Sequence, residues 1–211
     1  MKRKIGKLCV ITDTAVQKKY SHIEIARMAI KGGADVIQFR DKTMATYDMI
    51  ETAKKLKKMC SDGGVLFIVN DRADAALISD ADGVHLGKDD IPVKEARKLL
   101  GWNKIVGGTA HNLKEAKEAQ KNGADYIGFG HIYPTASKLK KTPPVGIAQL
   151  KEVVSRIRIP VLAIGGIGQD NISEVMKSGA HGAAVIGSVL KNKNPQKAVS
   201  DLRRIIYGKK D

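Results

Sequence analysis

The chain has 211 residues, 43% of them hydrophobic, and carries a formal net charge of +15 at pH 7. This length and apolar fraction can support one sizeable hydrophobic core and exclude general disorder. No run of about 18 apolar residues occurs, so no membrane-spanning helix is expected, and the apolar stretch Leu8–Ile11 is too short for a signal peptide. The two cysteines, Cys9 and Cys60, lack metal-ligand spacing and fit a cytoplasmic protein.

The basic residues are spread along predicted helix faces, as in residues 54–58 and 114–118, and are not interleaved with aromatic residues. A nucleic-acid partner is therefore not expected. A solvated lysine-rich surface and a field that concentrates anionic substrates both remain open as interpretations.

A short sequence motif occurs three times, at residues 31–37, 121–127 and 177–183, with a weaker copy at residues 79–84. In each full copy a glycine follows an amphipathic stretch and precedes a short apolar run. This pattern is typical of a helix end that leads directly into a strand.

Short apolar runs between these joints predict eight strands: Leu8–Ile11, Val36–Phe39, Leu66–Val69, Gly83–Leu86, Ile105–Val106, Tyr126–Phe129, Val161–Ile164 and Ala183–Ile186. Amphipathic patterns predict the intervening helices: Ile23–Ile30, Met49–Met59, Ala73–Ile78, Val93–Leu100, Leu113–Gln120, Ile147–Ile157, Ile172–Met176 and Ala198–Ile206. Strict alternation indicates a parallel sheet with right-handed crossovers. Eight units favour an α/β fold of one domain, a (β/α)8 TIM barrel over residues 1–211, above an open doubly wound sheet.

In such a barrel the site lies at the carboxyl ends of the strands. Residues 38–42 (QFRDK) follow the second strand, and alternation places Gln38, Arg40 and Lys42 on one side, toward the barrel mouth. Inward-facing cations are costly unless they meet an anion, so a diphosphate is the expected ligand.

Carboxylates follow the next two strands, as Asp71 and Asp90. Two carboxylates beside an arginine and a lysine suit Mg²⁺ that holds a diphosphate. Two alternatives stay open: an ion pair of Arg40 or Lys42 with Asp41, Asp71 or Asp90, and N-cap roles for Asp71 and Asp90.

The fifth strand delivers the hydroxyl of Thr109, whereas His111 is expected to serve local structure. The sixth strand leads into the longest irregular segment, Gly130–Val145, with two hydroxyls and a lysine within residues 135–138. A segment of this kind predicts a lid, with a basic surface loop as the alternative.

Glycines follow the last two strands, at Gly165, Gly166 and Gly187. Glycine-rich ends of these strands are typical of a barrel site for a phosphate monoester. The mouth is therefore expected to bind two phosphorylated substrates.

These residues, in this order, resemble the thiamine phosphate synthase family along nearly the whole chain. The matching segments are VITD (10–13), QFRDK (38–42), NDR (70–72), DGVHLG (82–87) with Asp90, GHIYPTASK (130–138) and GGI (165–167).

The resemblance implies that the chain joins hydroxymethylpyrimidine diphosphate to hydroxyethylthiazole phosphate and releases thiamine phosphate and pyrophosphate. It assigns the pyrimidine diphosphate to Gln38, Phe39, Arg40, Asp41, Lys42, Asn70, Thr109 and Lys138. It assigns the thiazole phosphate to Thr135, Ala136, Ser137, Gly166, Ile186 and Gly187. It gives Mg²⁺ to Asp71 and Asp90, and the catalytic candidates are Arg40, Lys42, Thr109 and Lys138.

The chain departs from the family pattern at Thr109, where serine is usual, and at Gly187, where serine is frequent. His131 raises a second hypothesis, because the sister thiazole tautomerases use a histidine in this loop. The retained diphosphate and Mg²⁺ residues favour the synthase. A non-catalytic, nucleic-acid-binding regulator is a third hypothesis, based on charge alone, and the oligomeric state stays open, a homodimer included.

Overall fold

Parallel strands alternate with helices in the computed structural model, which describes residues 4–135 and 142–208. The strands are β1 (Leu8–Thr12), β2 (Val36–Phe39), β3 (Leu66–Asn70), β4 (Gly83–Leu86), β5 (Ile105–Ala110), β6 (Tyr126–Gly130), β7 (Val161–Ile164) and β8 (Gly182–Val185). The helices are α1 (His22–Lys31), α2 (Thr46–Asp62), α3 (Ala73–Ile78), α4 (Val93–Leu100), α5 (Leu113–Lys121), α6 (Gly146–Arg156), α7 (Ile172–Lys177), α8 (Gly187–Leu190) and α9 (Pro195–Tyr207).

The strands close into a barrel in chain order, because β1 pairs in parallel with β2 on one side and with β8 on the other. Val10 of β1 therefore lies opposite both Ile37 and Val185. The predicted (β/α)8 barrel is confirmed. Closure pairs the strand edges and places all eight carboxyl ends around one mouth.

The repeated sequence motif has a structural cause at each connection between a helix and the next strand. Gly33, Gly123 and Gly179 have φ values of +90°, +94° and +89°, which favour glycine and let the chain turn from a helix into a strand. The aspartate two residues later ties the joint to the preceding strand: the Asp35 carboxylate accepts from the backbone N–H of Leu8 (2.8 Å), and Asp125 accepts from that of Val106 (2.8 Å).

The observed elements differ from the predicted ones mainly at β5 and α8. β5 continues through Gly107 and Gly108 to Ala110, where the sequence predicts a strand of only two residues. Gly107 is needed there because a Cβ would collide with the ring of Tyr126 inside the barrel. The helix α8 has only four residues, too few to produce a periodic pattern.

Among the described residues, no helix combines the length and the hydropathy needed to cross a membrane.

Candidate active site

A cavity opens at the carboxyl ends of the strands, and all eight strands or the loops after them contribute to its wall. Seven of the residues predicted for the site line it, namely Gln38, Arg40, Asn70, Asp71, Thr109, Thr135 and Ile186. Phe39 points away from the cavity, into the buried wall of the barrel, where its ring meets the edge of His22 at 4.7 Å between centroids.

Arg40 is held by Asp13, a partner outside the three carboxylates that the sequence offers as alternatives. Its guanidinium forms an ion pair with Asp13, which directly follows β1, and the two side chains are 12% and 3% exposed. The Nε of Arg40 is buried and makes no hydrogen bond within the described residues. An arginine fixed at one edge, with a further donor available, is preorganised to bind an anion.

The Asp41 carboxylate faces the chain itself. Its Oδ1 accepts hydrogen bonds from the backbone N–H groups of Thr43 and Met44, both at 2.8 Å, and its Oδ2 lies 3.0 Å from Nε2 of His22. Burial raises the pKa of this carboxyl, but the hydrogen bonds outweigh burial and hold the pKa well below its usual range. Asp41 is therefore ionised at neutral pH.

Asp71 and Asp90 lie side by side near the cavity, and Lys42 forms an ion pair with Asp71. Asp71 has a φ of +67°, which is uncommon for a residue with a side chain, and its backbone N–H donates to the carbonyl of His85 at 2.8 Å. The Asp90 carboxylate accepts from the backbone N–H of Gly87 at 2.7 Å.

Two carboxylates in contact repel each other when both are ionised. Burial and the neighbouring Asp71 carboxyl raise the pKa of Asp90 above its ordinary value.

The N-cap interpretation is wrong for both residues, because Arg72 and Pro92 occupy the N-cap positions of α3 and α4. The ion pair given as an alternative is present for Lys42, with Asp71, but Arg40 pairs with Asp13 instead. The two carboxylates supply oxygen ligands of the kind that Mg²⁺ prefers.

A buried hydrogen-bonded chain forms the floor of the cavity. Nε2 of His85 lies 3.0 Å from the hydroxyl of Thr109, and its Nδ1 lies 2.9 Å from the hydroxyl of Tyr126. Gly128 leaves room for this imidazole, because a Cβ there would approach its Cε1 to 2.8 Å. The position of the Thr109 hydroxyl is therefore set from inside the barrel.

A second opening lies between the ends of β7 and β8, and we call it the glycine cleft. Its wall includes Thr135, Gly165–Gly168, Ile186–Ser188 and Lys191. Gly165 and Gly166 have φ values of +100° and +67°, and a Cβ on either would collide with the loop after β6. These glycines let two backbones approach closely, and they leave space beside α8.

Asn171 and Ser188 line the glycine cleft, and they differ in their hydrogen bonds. The Asn171 side chain accepts from the backbone N–H of Gly168 and donates to the carbonyl of Gly166, both at 2.9 Å. The hydroxyl of Ser188 is buried and has no hydrogen-bond partner among the described residues. A buried hydroxyl of this kind fits a site that an anion completes.

Histidines near the mouth differ in their surroundings. His111 contacts Glu115 through its ring nitrogen (3.1 Å) and its backbone N–H (2.8 Å), which supports its expected role in local structure. His131 is 5% exposed and lines the cavity. The predicted site residues Ala136, Ser137 and Lys138 lie outside the described residues.

Four residues with evident structural relations to the site are given no role by the sequence patterns: Asp13, His22, His85 and Ser188. Asp13 and His85 stand at or near strand ends within the matching segments, but only the structure shows their partners, Arg40 and Thr109. Ser188 follows Gly187 directly, but only the structure shows that its hydroxyl is buried. His22 begins a helix, and no local signal connects it with Asp41.

Comparisons with known proteins agree with this geometry. The model of the family described as thiamine monophosphate synthase matches residues 8–189. The thiamine-phosphate synthase of Salinibacter ruber (strain DSM 13855 / M31) is 44% identical over 206 residues, which cover 98% of this chain and 91% of the relative. That of Shouchella clausii (strain KSM-K16) is 50% identical over 168 residues, or 80% of each chain.

Among solved structures, the thiamine phosphate pyrophosphorylase from Pyrococcus furiosus superposes with a TM-score of 0.87 at 42% identity, covering 95% of both chains. A 3-hexulose-6-phosphate synthase superposes with a TM-score of 0.72 at 20% identity, a likeness that concerns the fold alone.

Proposed function

The chain belongs to the thiamine monophosphate synthase family, and we propose that its cavity joins hydroxymethylpyrimidine diphosphate to hydroxyethylthiazole phosphate. The products are thiamine phosphate and pyrophosphate, so the protein is a transferase. One observation carries this proposal: the cavity, whose wall includes Arg40 and Asp71, adjoins the glycine cleft, since Thr135, Ile164 and Ile186 line both. Two anion sites that share walls can hold two phosphorylated substrates in contact.

The diphosphate is proposed to lie against Arg40 and Lys42, with Gln38, Asn70 and Thr109 deeper in the cavity around the pyrimidine ring. This placement of the diphosphate is supported by the ion pair with Asp13, which already fixes the guanidinium of Arg40. Lys42 is paired with Asp71 in the structure and would meet the diphosphate beside it. Lys138 is assigned to the same substrate by the family pattern alone.

Asp71 and Asp90 would hold Mg²⁺. The fit rests on their adjacency: burial and the neighbouring Asp71 carboxyl raise the pKa of Asp90, and a divalent cation would offset the repulsion between the two carboxylates. Within the described residues no group of three or more metal-ligating side chains occurs, and Mg²⁺ typically takes one or two carboxylates, with phosphate oxygens and water completing the site. When bound, Mg²⁺ would supply charge neutralisation for the diphosphate.

The reaction is proposed to be a dissociative substitution. The bond between the pyrimidinylmethyl carbon and the diphosphate oxygen breaks, and the electron pair leaves with pyrophosphate. The thiazole nitrogen then forms a bond to that carbon. The nitrogen carries no proton, so no general base is required, and Arg40 and Lys42 serve by stabilising charge that grows on the leaving group.

The thiazole phosphate is proposed to lie in the glycine cleft, against backbone N–H groups at Gly166 and Gly187. Gly187 replaces a serine that is frequent in the family, and Ser188 stands next to it with a buried hydroxyl that has no partner among the described residues. Ser188 would therefore supply the hydroxyl that position 187 lacks.

We expect Ser188→Ala to raise KM for the thiazole phosphate about tenfold with little change in kcat, because a hydrogen bond to a charged group contributes about 1.5–3 kcal/mol. Steady-state kinetics with each substrate varied in turn measures the effect. The matched control is Ser178→Ala, since the Ser178 hydroxyl donates to the carbonyl of Val175 at the end of α7. An unchanged KM in Ser188→Ala would remove Ser188 from the phosphate site.

The tautomerase alternative depends on His131. We expect His131→Ala to lower the synthase kcat by less than about tenfold, because no proton is transferred at the nucleophile. In a tautomerase the same change would remove the roughly 10²–10⁴-fold contribution of a general acid–base residue. Both variants, His131→Ala and the polar His131→Asn, are assayed for thiamine phosphate formation and for thiazole isomerisation. A large loss in isomerisation by a chain that forms no thiamine phosphate would favour the tautomerase.

A further inference from the structure

A histidine lies buried between β1 and the loop that follows β2, the loop that carries Arg40 and Lys42. His22, the first residue of α1, is 3% exposed. Its Nδ1 lies 2.8 Å from the hydroxyl of Thr12, at the end of β1, and its Nε2 lies 3.0 Å from Oδ2 of Asp41. Thr12, His22 and Asp41 thus form a hydrogen-bonded chain, and its Thr12 end is fully buried.

Asp41 connects this chain to the loop of residues 40–44, which we call the diphosphate loop. Besides His22, the carboxylate accepts from the hydroxyl of Thr14 (3.2 Å) and from the backbone N–H and the hydroxyl of Thr43 (2.8 and 3.1 Å). The backbone N–H of Met44 donates to it as well, at 2.8 Å. One carboxylate thus accepts several hydrogen bonds from the loop, and His22 contacts that carboxylate from the buried side.

The positions of the protons follow from the acceptor character of Asp41. An ionised carboxylate can only accept, so Nε2 of His22 carries a proton and donates to it. In the neutral ring Nδ1 then accepts from the Thr12 hydroxyl. The ring cannot tilt freely, because Phe39 meets it edge to face at an interplanar angle of 80°.

Helix α1 does not need His22 for its own start. Ser21 is the N-cap, and a capping box joins it to Glu24: the Ser21 backbone N–H donates to Glu24 at 2.8 Å, and the Glu24 N–H donates back to the Ser21 hydroxyl at 3.3 Å. A capping box satisfies the first donors of the helix by itself. The buried contacts of His22 therefore serve the loop across from it.

The residues on either side of Asp41 are both cationic: Arg40 lines the cavity, and Lys42 lines the adjoining opening that Asp71 and Asp90 share. Arg40 is tied to β1 twice, through its backbone N–H to the carbonyl of Thr12 (3.2 Å) and through its ion pair with Asp13. Lys42 reaches Asp71 from the other side of Asp41. Asp41 therefore stands between the two cations in the chain, and its carboxylate is bound to the backbone of the loop that carries them.

We propose that His22 is a positioning residue for diphosphate binding, acting through Asp41 on the orientation of Arg40 and Lys42. The inference rests on the proposed function for the identity of the diphosphate substrate. It concerns only the side of the cavity formed by β1 and β2, and it leaves the glycine cleft unaffected.

The test compares His22→Phe, which keeps a ring against Phe39 and removes both hydrogen bonds, with His22→Gln, whose amide can still donate to Asp41. The probe is inorganic pyrophosphate with Mg²⁺, titrated calorimetrically into the full chain, together with KM for each substrate. We expect His22→Phe to weaken pyrophosphate binding and to raise KM for the pyrimidine diphosphate about tenfold, because small misplacements of binding groups have effects of this size. KM for the thiazole phosphate should change by less than about twofold, and His22→Gln should recover most of the pyrophosphate affinity.

Wild-type pyrophosphate affinity in His22→Phe, or an equal rise in KM for both substrates, would overturn the inference. If His22→Phe does not fold, Thr12→Val replaces it, because valine has the shape of threonine and removes only the hydroxyl that contacts His22. We expect about threefold weaker pyrophosphate binding in Thr12→Val, as the ring loses one of its two anchors, and unchanged binding there would equally overturn the inference.

The matched control is His181→Phe. The Nε2 of His181 lies 3.0 Å from the carbonyl of Ile5, at the end of the barrel opposite the mouth, so this change also removes a histidine hydrogen bond. Pyrophosphate affinity should stay at the wild-type value in the control, whatever the melting temperature, and an equal loss there would refute a specific role for His22. A wild-type chain that forms no thiamine phosphate would instead refute the proposed function, whereas the pyrophosphate titrations would still decide the role of His22.

Discussion

Replacing Asp90 by asparagine is expected to lower kcat by about 10²-fold or more without lowering the melting temperature. The loss follows from the removal of one of the two carboxylates that would hold Mg²⁺ at the diphosphate. Stability is retained because the asparagine carbonyl can still accept from the backbone N–H of Gly87, as Asp90 does at 2.7 Å. The change also removes the like-charge contact with Asp71 that raises the pKa of Asp90.

The measurement is kcat across a range of Mg²⁺ concentrations, with the melting temperature of the same preparations. Asp71→Asn should give the same loss of turnover. Asp74→Asn is the matched control, because Asp74 lies beside the same cluster but pairs with Arg72 at the surface. Near-normal turnover in both Asp71→Asn and Asp90→Asn at limiting Mg²⁺ would contradict the metal assignment.

Replacing Arg40 is expected to have the other large effect, on activity and on stability together. Arg40→Met should lower kcat/KM by about 10²–10³-fold, the range found when one donor to developing charge is removed. It should also destabilise the fold, because Asp13, whose side chain is 3% exposed, loses its guanidinium partner. Removing one member of a buried pair costs about 3–5 kcal/mol of unfolding free energy.

A second substitution separates the two effects. In Arg40→Met with Asp13→Asn, no buried charge is left without a partner, so the melting temperature should return toward the wild-type value. Turnover should stay low, since the donor to the diphosphate is still missing. Recovery of turnover in the double variant would mean that Arg40 acts only through the fold, and it would contradict the diphosphate site as proposed.

The fold could be predicted because each joint between helix and strand repeats the same local chemistry. A recurring sequence motif contains the glycines at positions 33, 123 and 179 and, in two of the copies, the aspartate that follows. The length of β5 could not be predicted, because two consecutive glycines normally interrupt a strand pattern. Here Gly107 is required by the ring of Tyr126 on the neighbouring strand, a contact that local sequence does not reveal.

The placement of candidate site residues could be predicted where they follow a strand end, as Asp71, Asp90 and Gly166 do. The supporting contacts could not, since they join residues far apart in the chain: Asp13 and Arg40 meet only because β1 and β2 are neighbours, and His22 meets Asp41 across the top of both. The direction of the Asp41 side chain is also a tertiary property. Alternation correctly separates it from Arg40 and Lys42, but only the folded loop shows that its carboxylate binds backbone N–H groups.

The proposed reaction is tested most directly by mixing the purified chain with hydroxymethylpyrimidine diphosphate, hydroxyethylthiazole phosphate and Mg²⁺. Thiamine phosphate and pyrophosphate are then measured over time. We expect both products to form in equal amounts, chelation of Mg²⁺ to stop their formation, and omission of either substrate to abolish it. Isomerisation of a thiazole phosphate without any thiamine phosphate, or product formation that is indifferent to chelation, would contradict the proposed reaction.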